Sequence, residues 1–211
     1  MVSLIFVVIY LIPILVIWGL VILIIKFPIQ TLSTFTIFSI LMFLGYKSLT
    51  NQHYLSFVPD EMGVKKILYL EDQSWGFGPG GNETGLVEFE LPDNVAGEII
   101  KGEVDYFNKL HNNRLHGSND CYGKWYQTPI PLSDIWQGPR YSQNEPVSKI
   151  SSLSIENYLD RYGFSIHIDS QISATIDNEI SKTGSYYEYC PGGGVLIVMP
   201  KVLKVVFAYA G

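Results

Sequence analysis

Residues 4–25 read LIFVVIYLIPILVIWGLVILII, a run of 22 residues without a charged side chain. At a rise of 1.5 Å per residue, a helix of this length reaches about 33 Å, enough to cross a hydrocarbon layer about 30 Å thick. Lys26 ends the run, and a second apolar run over about residues 29–46 ends before Lys47. Because so few residues separate the two runs, we predict a transmembrane helical hairpin over residues 1–50.

A cleaved signal peptide is the main alternative for the first run. Such a peptide has an apolar core of about 7–15 residues between a basic start and a small-residue cleavage site. Here the core is longer, residues 1–3 carry no Lys or Arg, and no such site follows. The second run contains hydroxyl side chains such as Thr31 and Thr36, which can bond to carbonyls one turn back. Neither run contains an ionisable residue, so we predict an anchor rather than a transporter.

Charge is distributed very unevenly along the chain. Residues 1–59 contain two lysines and no acid, whereas the rest holds 20 acidic and 12 basic residues, a net charge of −8. This pattern excludes a basic nucleic-acid-binding protein. The expected location is a bacterial cell (inner) membrane, with two spans. The few lysines near the spans favour a cytoplasmic acidic domain only slightly.

The water-facing part is predicted as an α+β fold. Residues 51–63 are interpreted as a linker because they contain Pro59 and Gly63, and residues 64–211 as one compact domain. Period-two alternation and β-branched runs predict strands at 64–70, 86–91 and 164–168 and a C-terminal β-hairpin at 195–199 and 202–209. Helices are predicted over about 92–110, 154–162 (with Ser154 as N-cap) and 172–182. Glu88 and Glu90 are expected on the wet face of a half-exposed sheet.

The densest group of potential metal ligands or acid–base residues is His111, His116, Asp120 and Cys121. Imidazole, carboxylate and thiolate groups all bind transition metals. The spacing H-x4-H-x3-D-C nevertheless matches no zinc pattern, and the segment is rich in Asn and Gly. A solvated polar loop is therefore the favoured interpretation, so we predict no catalytic residue, no metal and no cofactor, and favour a protein that is not an enzyme.

Cys121 and Cys190 are the two cysteines of the chain. They can pair if the domain lies in an oxidising compartment, whereas in the cytoplasm both are expected as reduced thiols.

Aromatic residues suggest a surface that binds a partner. Trp125, Tyr126, Trp136 and Tyr141 lie among Asn, Ser and Gly, a composition typical of adaptable contact surfaces. The alternative is that some of these rings fill the core. The negative charge of the domain favours a basic partner.

The layout of a two-span anchor and a compact acidic domain is similar to that of small bacterial membrane proteins that neutralise a toxin or tether a partner. This similarity of architecture carries no residue across. It implies a membrane-anchored, non-catalytic binding protein of immunity type, with the lipid bilayer and a basic protein as partners and no nucleic acid. The alternatives are an envelope hydrolase that uses the His/Asp/Cys group, and a structural subunit of a membrane complex.

Overall fold

The computed structural model of the chain describes residues 12–74, 83–110, 124–133, 136, 153–162 and 166–211. Contacts divide the chain into two compact units, one that ends at Asn51 and one that runs from Gln52 to Gly211. Helix α1 (Ile12–Lys26) belongs to the first unit, and helix α2 (Pro28–Leu55) begins there.

Helix α2 is long and apolar enough to cross a membrane, and it is the one helix among the described residues that passes this test. Its large apolar side chains are exposed over residues 29–49. The hydroxyls of Thr31 and Thr36 donate to the carbonyls of Phe27 and Leu32 at 2.8 and 2.9 Å, one turn back, as predicted. These bonds remove the cost of an unsatisfied hydroxyl in an apolar medium. One apolar helix near the N-terminus is thus the structural support for a membrane location.

A two-helix hairpin is not shown. A single residue, Phe27, separates α1 from α2, whereas connections between helices usually contain about two to eight residues. The described helix of the first run has 15 residues, fewer than the roughly 20 that a span needs. The second span therefore remains a proposal.

The second unit is built on an antiparallel sheet, whose six described strands lie in the order β1-β2-β6-β5-β4-β3. The strands are β1 (Ile67–Ser74), β2 (Glu83–Glu90), β3 (Tyr126–Gln127), β4 (Tyr186–Cys190), β5 (Gly194–Met199) and β6 (Lys204–Ala210). Strands β5 and β6 form the C-terminal hairpin expected from the two β-branched runs.

Helices cover both faces of this sheet. Helices α3 (Asp93–Gly102) and α4 (Val104–Leu110) contribute to the core on one face. Helices α5 (Ile155–Leu159) and α6 (Ser170–Ile180) contribute to the core on the other. The Ser154 side chain caps α5, as predicted, by accepting from the N–H of Glu156 at 3.2 Å. The mixed helix-and-sheet class predicted from the sequence is thus confirmed.

Residues 51–63 are packed rather than extended as the predicted linker would be. Helix α2 continues to Leu55, and the side chains of Tyr54, Val58 and Met62 are buried in the core. Pro59 precedes a short 3₁₀ turn, and Gly63 ends it at φ 62°. The two residues that suggested a linker therefore shape a tight turn, in which glycine adopts a left-handed conformation at little cost.

The described part of the predicted strand at 164–168 belongs to no strand. Ile166 and Ile168 are buried in the same core as helices α5 and α6. The alternation in this segment thus reflects the packing of an irregular chain and not a ladder of hydrogen bonds.

Glu88 does not lie on a wet face. Its side chain is 4% exposed and forms an ion pair with Lys204 at 2.7 Å. Glu88 shares its face of β2 with Leu86, which belongs to the core beside α5 and α6. Glu90, the last residue of β2, is exposed as expected and pairs with Lys66 at 3.2 Å. Because helices cover both faces, alternation alone did not reveal which of the two acids meets water.

Candidate functional site

The predicted ligand group lies outside the described residues. This holds for His111, His116, Asp120 and Cys121, so their role stays a prediction. Among the described residues, no group of three or more His, Cys, Asp or Glu side chains could hold a metal ion.

Cys190 is disulfide-bonded, and no described cysteine carries a free thiol. It ends strand β4, and its side chain is buried. Cys121 lies outside the described residues, so its pairing with Cys190 stays a prediction.

The two tryptophans predicted to contact a partner have buried side chains. Trp125 is 6% exposed and Trp136 is fully buried. They belong to cores on opposite faces of the sheet, so the two rings do not form one patch. The ring of Trp125 stacks on Phe107 at 4.1 Å, and Trp136 Nε1 donates to the Tyr189 hydroxyl at 2.8 Å.

Tyr126 is the exposed member of the predicted contact set, with 37% of its surface accessible. Its ring stacks on Tyr187 at 5.4 Å, and the Lys124 ammonium lies 5.1 Å from its centroid. Tyr141 lies outside the described residues. Binding of a partner through these residues stays a prediction, to which the structure contributes one exposed ring.

The structure brings a different set of aromatic residues together in a cleft of about 530 Å³ in the second unit. We name it the aromatic–acidic cleft. Its rings are those of His53, Tyr54, Phe57, Phe207 and Tyr209. Among the described residues, the rest of its lining is Asp72, Gln73, Ser74, Glu83, Cys190 and Gly192.

The end of helix α2 supplies three of the rings. The N–H of Phe57 donates to the Tyr54 carbonyl at 3.1 Å, which tightens the chain just after the helix. This turn brings Phe57 beside His53 of the helix, with their ring centroids 5.0 Å apart. Phe57 then reaches the ring of Phe207 at 4.6 Å.

Two glycines lie against aromatic rings of the cleft. Gly85 of β2 and Gly194 of β5 are the cross-strand partners of Tyr209 on either side of β6. A Cβ atom built on Gly85 would lie 2.4 Å from Cζ of Tyr209, and one on Gly194 would lie 2.9 Å from Cζ of Phe207. The rings of Tyr209 and Phe207 therefore each lie over a glycine, in space that the side chain of any larger residue would fill.

Carboxylates line the cleft beside these rings. Asp72 is paired with Gly85 and Glu83 with Ser74 at the end of the β1–β2 ladder. Both acids are exposed. Burial raises the pKa of Tyr209, and the charges of Asp72 and Glu83 raise it further. The Tyr209 hydroxyl therefore stays protonated at neutral pH, in a negative field.

Sequence reasoning missed this cleft because its parts lie far apart in the chain. Its rings come from a segment interpreted as a linker and from the last strand. The available signal was a glycine at or next to the start of two predicted strands, Gly85 before 86–91 and Gly194 before 195–199, since a glycine in a strand often marks the close approach of another group.

The chain matches no protein-family model, no curated protein and no solved structure. The chemistry of the site therefore rests on its own residues. Aromatic faces and carboxylates together can hold a cation, because a ring face and an anion both attract positive charge.

Proposed function

We propose that this protein is a membrane-anchored binding protein of immunity or tether type, whose acidic domain holds a basic partner protein. The observation that carries the proposal is the aromatic–acidic cleft. It combines rigid ring surface, which loses little entropy on contact, with negative charge that attracts a basic surface. The net charge of −8 from residue 60 onward supports the same kind of partner.

The test is site-specific photo-crosslinking in intact cells. A photoreactive amino acid replaces Ser74, which is exposed and lines the cleft, or Ala174, which is exposed on α6 beyond the other face of the sheet. We expect position 74 alone to give a discrete adduct with a protein whose contact face is basic. Equal labelling from both positions, or no adduct from position 74, would refute the proposal.

The anchor is proposed to contain two spans, α2 and the first apolar run. That run has no polar face over its 22 residues, and leaving it in water would expose a large apolar surface. Peptide tags on both termini provide the test. Two spans place the tags on the same side of the membrane, and a single span places them on opposite sides.

The acidic domain is proposed to face an oxidising compartment. A disulfide at Cys190 favours that side, and the few flanking lysines favour the cytoplasm only weakly. A maleimide added to acid-quenched cells should label the protein only after reduction. Labelling without a reductant would instead indicate reduced thiols and a cytoplasmic domain.

A further inference from the structure

The aromatic–acidic cleft is lined by acidic side chains and by aromatic rings. It contains two carboxylates, Asp72 and Glu83, and its described lining residues include no Lys or Arg. A phosphate or carboxylate ligand would meet like charges at the rim. A cation would meet the opposite charge and the electron-rich faces of the rings, a combination typical of aromatic cages for cations.

The rings of the cleft offer aromatic surface on which a planar cation can stack. Phe57 and Phe207 lie 4.6 Å apart at an interplanar angle of 36°, and Phe207 lies 5.7 Å from Tyr209 at 30°. All three rings line the cleft and are only partly buried, so a flat group can stack on the parts that they leave exposed. Guanidinium is flat, stacks on aromatic faces and directs its five donors to carboxylates, whereas ammonium is a compact and strongly hydrated point charge.

We propose that the aromatic–acidic cleft binds the guanidinium group of an arginine side chain on the basic partner protein. The inference rests on the proposed function and names the chemical group that the domain recognises. Asp72 and Glu83 accept hydrogen bonds from the guanidinium, and the rings of Phe57, Phe207 and Tyr209 provide the surface on which it stacks.

The experiment uses the full chain purified in an uncharged maltoside detergent. The probe is N-acetyl-arginine methylamide, and the matched control is the citrulline analogue, which has nearly the same shape and no charge. We expect the arginine probe to shift the ring signals of the cleft in NMR spectra and the citrulline probe to bind at least about ten-fold more weakly, as loss of a charge-assisted contact predicts. Equal binding of the two probes would overturn the proposal.

Substitutions locate the binding. Asp72→Asn and Glu83→Gln should each weaken the arginine probe several-fold, and raised salt should reduce the difference between the variants. Glu98→Gln is the control, because Glu98 is exposed on α3 and does not line the cleft. Equal weakening by all three variants would indicate a general charge effect and would refute binding of the probe in the cleft.

A second arm asks whether lipid occupies the cleft. Phosphatidylethanolamine carries an ammonium headgroup, and we expect its addition to the micelles to leave binding of the arginine probe unchanged. Displacement of the probe would assign the cleft to lipid and overturn the protein partner. The outcomes also separate the two proposals: an adduct in cells without probe binding refutes the arginine assignment alone, and probe binding without an adduct refutes the proposed function alone.

Discussion

Gly85 leaves room for the Tyr209 ring that lines the aromatic–acidic cleft, and the substitution Gly85→Ala tests this contact. The new Cβ would lie 2.4 Å from both Cζ and Oη of Tyr209 and 2.8 Å from Cε1. These distances are far below a van der Waals contact, so the ring must move. The Tyr209 ring lies 6.2 Å from Phe57 and 5.7 Å from Phe207, so its displacement disturbs both of these aromatic contacts.

The expected cost combines two opposing terms. Overpacking of a well-packed site costs about 1–3 kcal/mol, and replacing a mid-strand glycine by alanine returns about 0.5–1 kcal/mol of backbone entropy. We therefore expect Gly85→Ala to lower the free energy of unfolding by about 0–2.5 kcal/mol. Gly97→Ala is the control, because no atom lies within 4 Å of a Cβ at Gly97 in helix α3. Only the favourable helix term remains there, so this variant should gain about 0.5–1 kcal/mol.

Urea unfolding of both variants in detergent, followed by tryptophan fluorescence, measures the difference. The Gly85→Ala protein should also bind the arginine probe more weakly, because the displaced ring moves into or out of the cleft. If both alanine variants are stabilised to the same extent and the probe binds as in the wild type, the ring does not depend on the glycine and the reasoning fails.

Three further predictions concern the cores. Lys204→Ala leaves the Glu88 carboxylate, which is 4% exposed, without its partner, and should lower the free energy of unfolding by about 3 kcal/mol or more. Lys66→Ala is the control, because it breaks an ion pair whose side chains are 64% and 52% exposed and should cost less than about 1 kcal/mol. Equal urea midpoints for the two variants would contradict the burial of the Glu88 pair. Trp136→Ala removes a fully buried indole and should lower the free energy of unfolding by about 3–5 kcal/mol. An unchanged thermal unfolding temperature would indicate that this ring lies at the surface. Burial raises the pKa of Tyr158 above its ordinary value of 10.0, so with rising pH the unfolded chain loses this proton before the folded chain does. The free energy of unfolding should therefore fall above about pH 10, by up to about 1.4 kcal/mol per pH unit. Tyr158→Phe should remove that part of the slope between pH 9 and 11, whatever its effect at neutral pH, and an unchanged slope would show that the phenol is accessible to solvent.

Local sequence patterns predicted the elements whose stability is local. The apolar face at Val95 and Ile99 indicated helix α3, and the β-branched runs at 195–199 and 202–209 indicated the terminal hairpin. Ser154 was identifiable as a cap because a cap interacts with residues two or three positions on. Each of these features depends on neighbours within a few residues, so one sequence is enough to identify them.

The side of an element that meets water is a different kind of property. Alternation at Glu88 and Glu90 is typical of a sheet with one wet face, yet helices cover both faces, and Glu88 is instead stabilised by Lys204 from the neighbouring strand. Trp125 is buried for the same reason, since its ring stacks on Phe107 of helix α4. No local pattern encodes a covering layer that is supplied by a distant segment.

The aromatic–acidic cleft also depends on contacts between segments that are far apart in the sequence. Positions 85 and 194 accommodate only glycine without strain, because a ring from β6 lies over each of them: Tyr209 over Gly85 and Phe207 over Gly194. The acids near Tyr209 come from β1 and β2, the two strands at one edge of the described sheet. A binding site assembled in this way leaves only single-residue signals in the sequence, each of which also fits an ordinary turn or bulge. Substitution of such a glycine therefore reports on the site more directly than substitution of the aromatic residues, because alanine alters the position of the ring and leaves the chemistry of the ring intact.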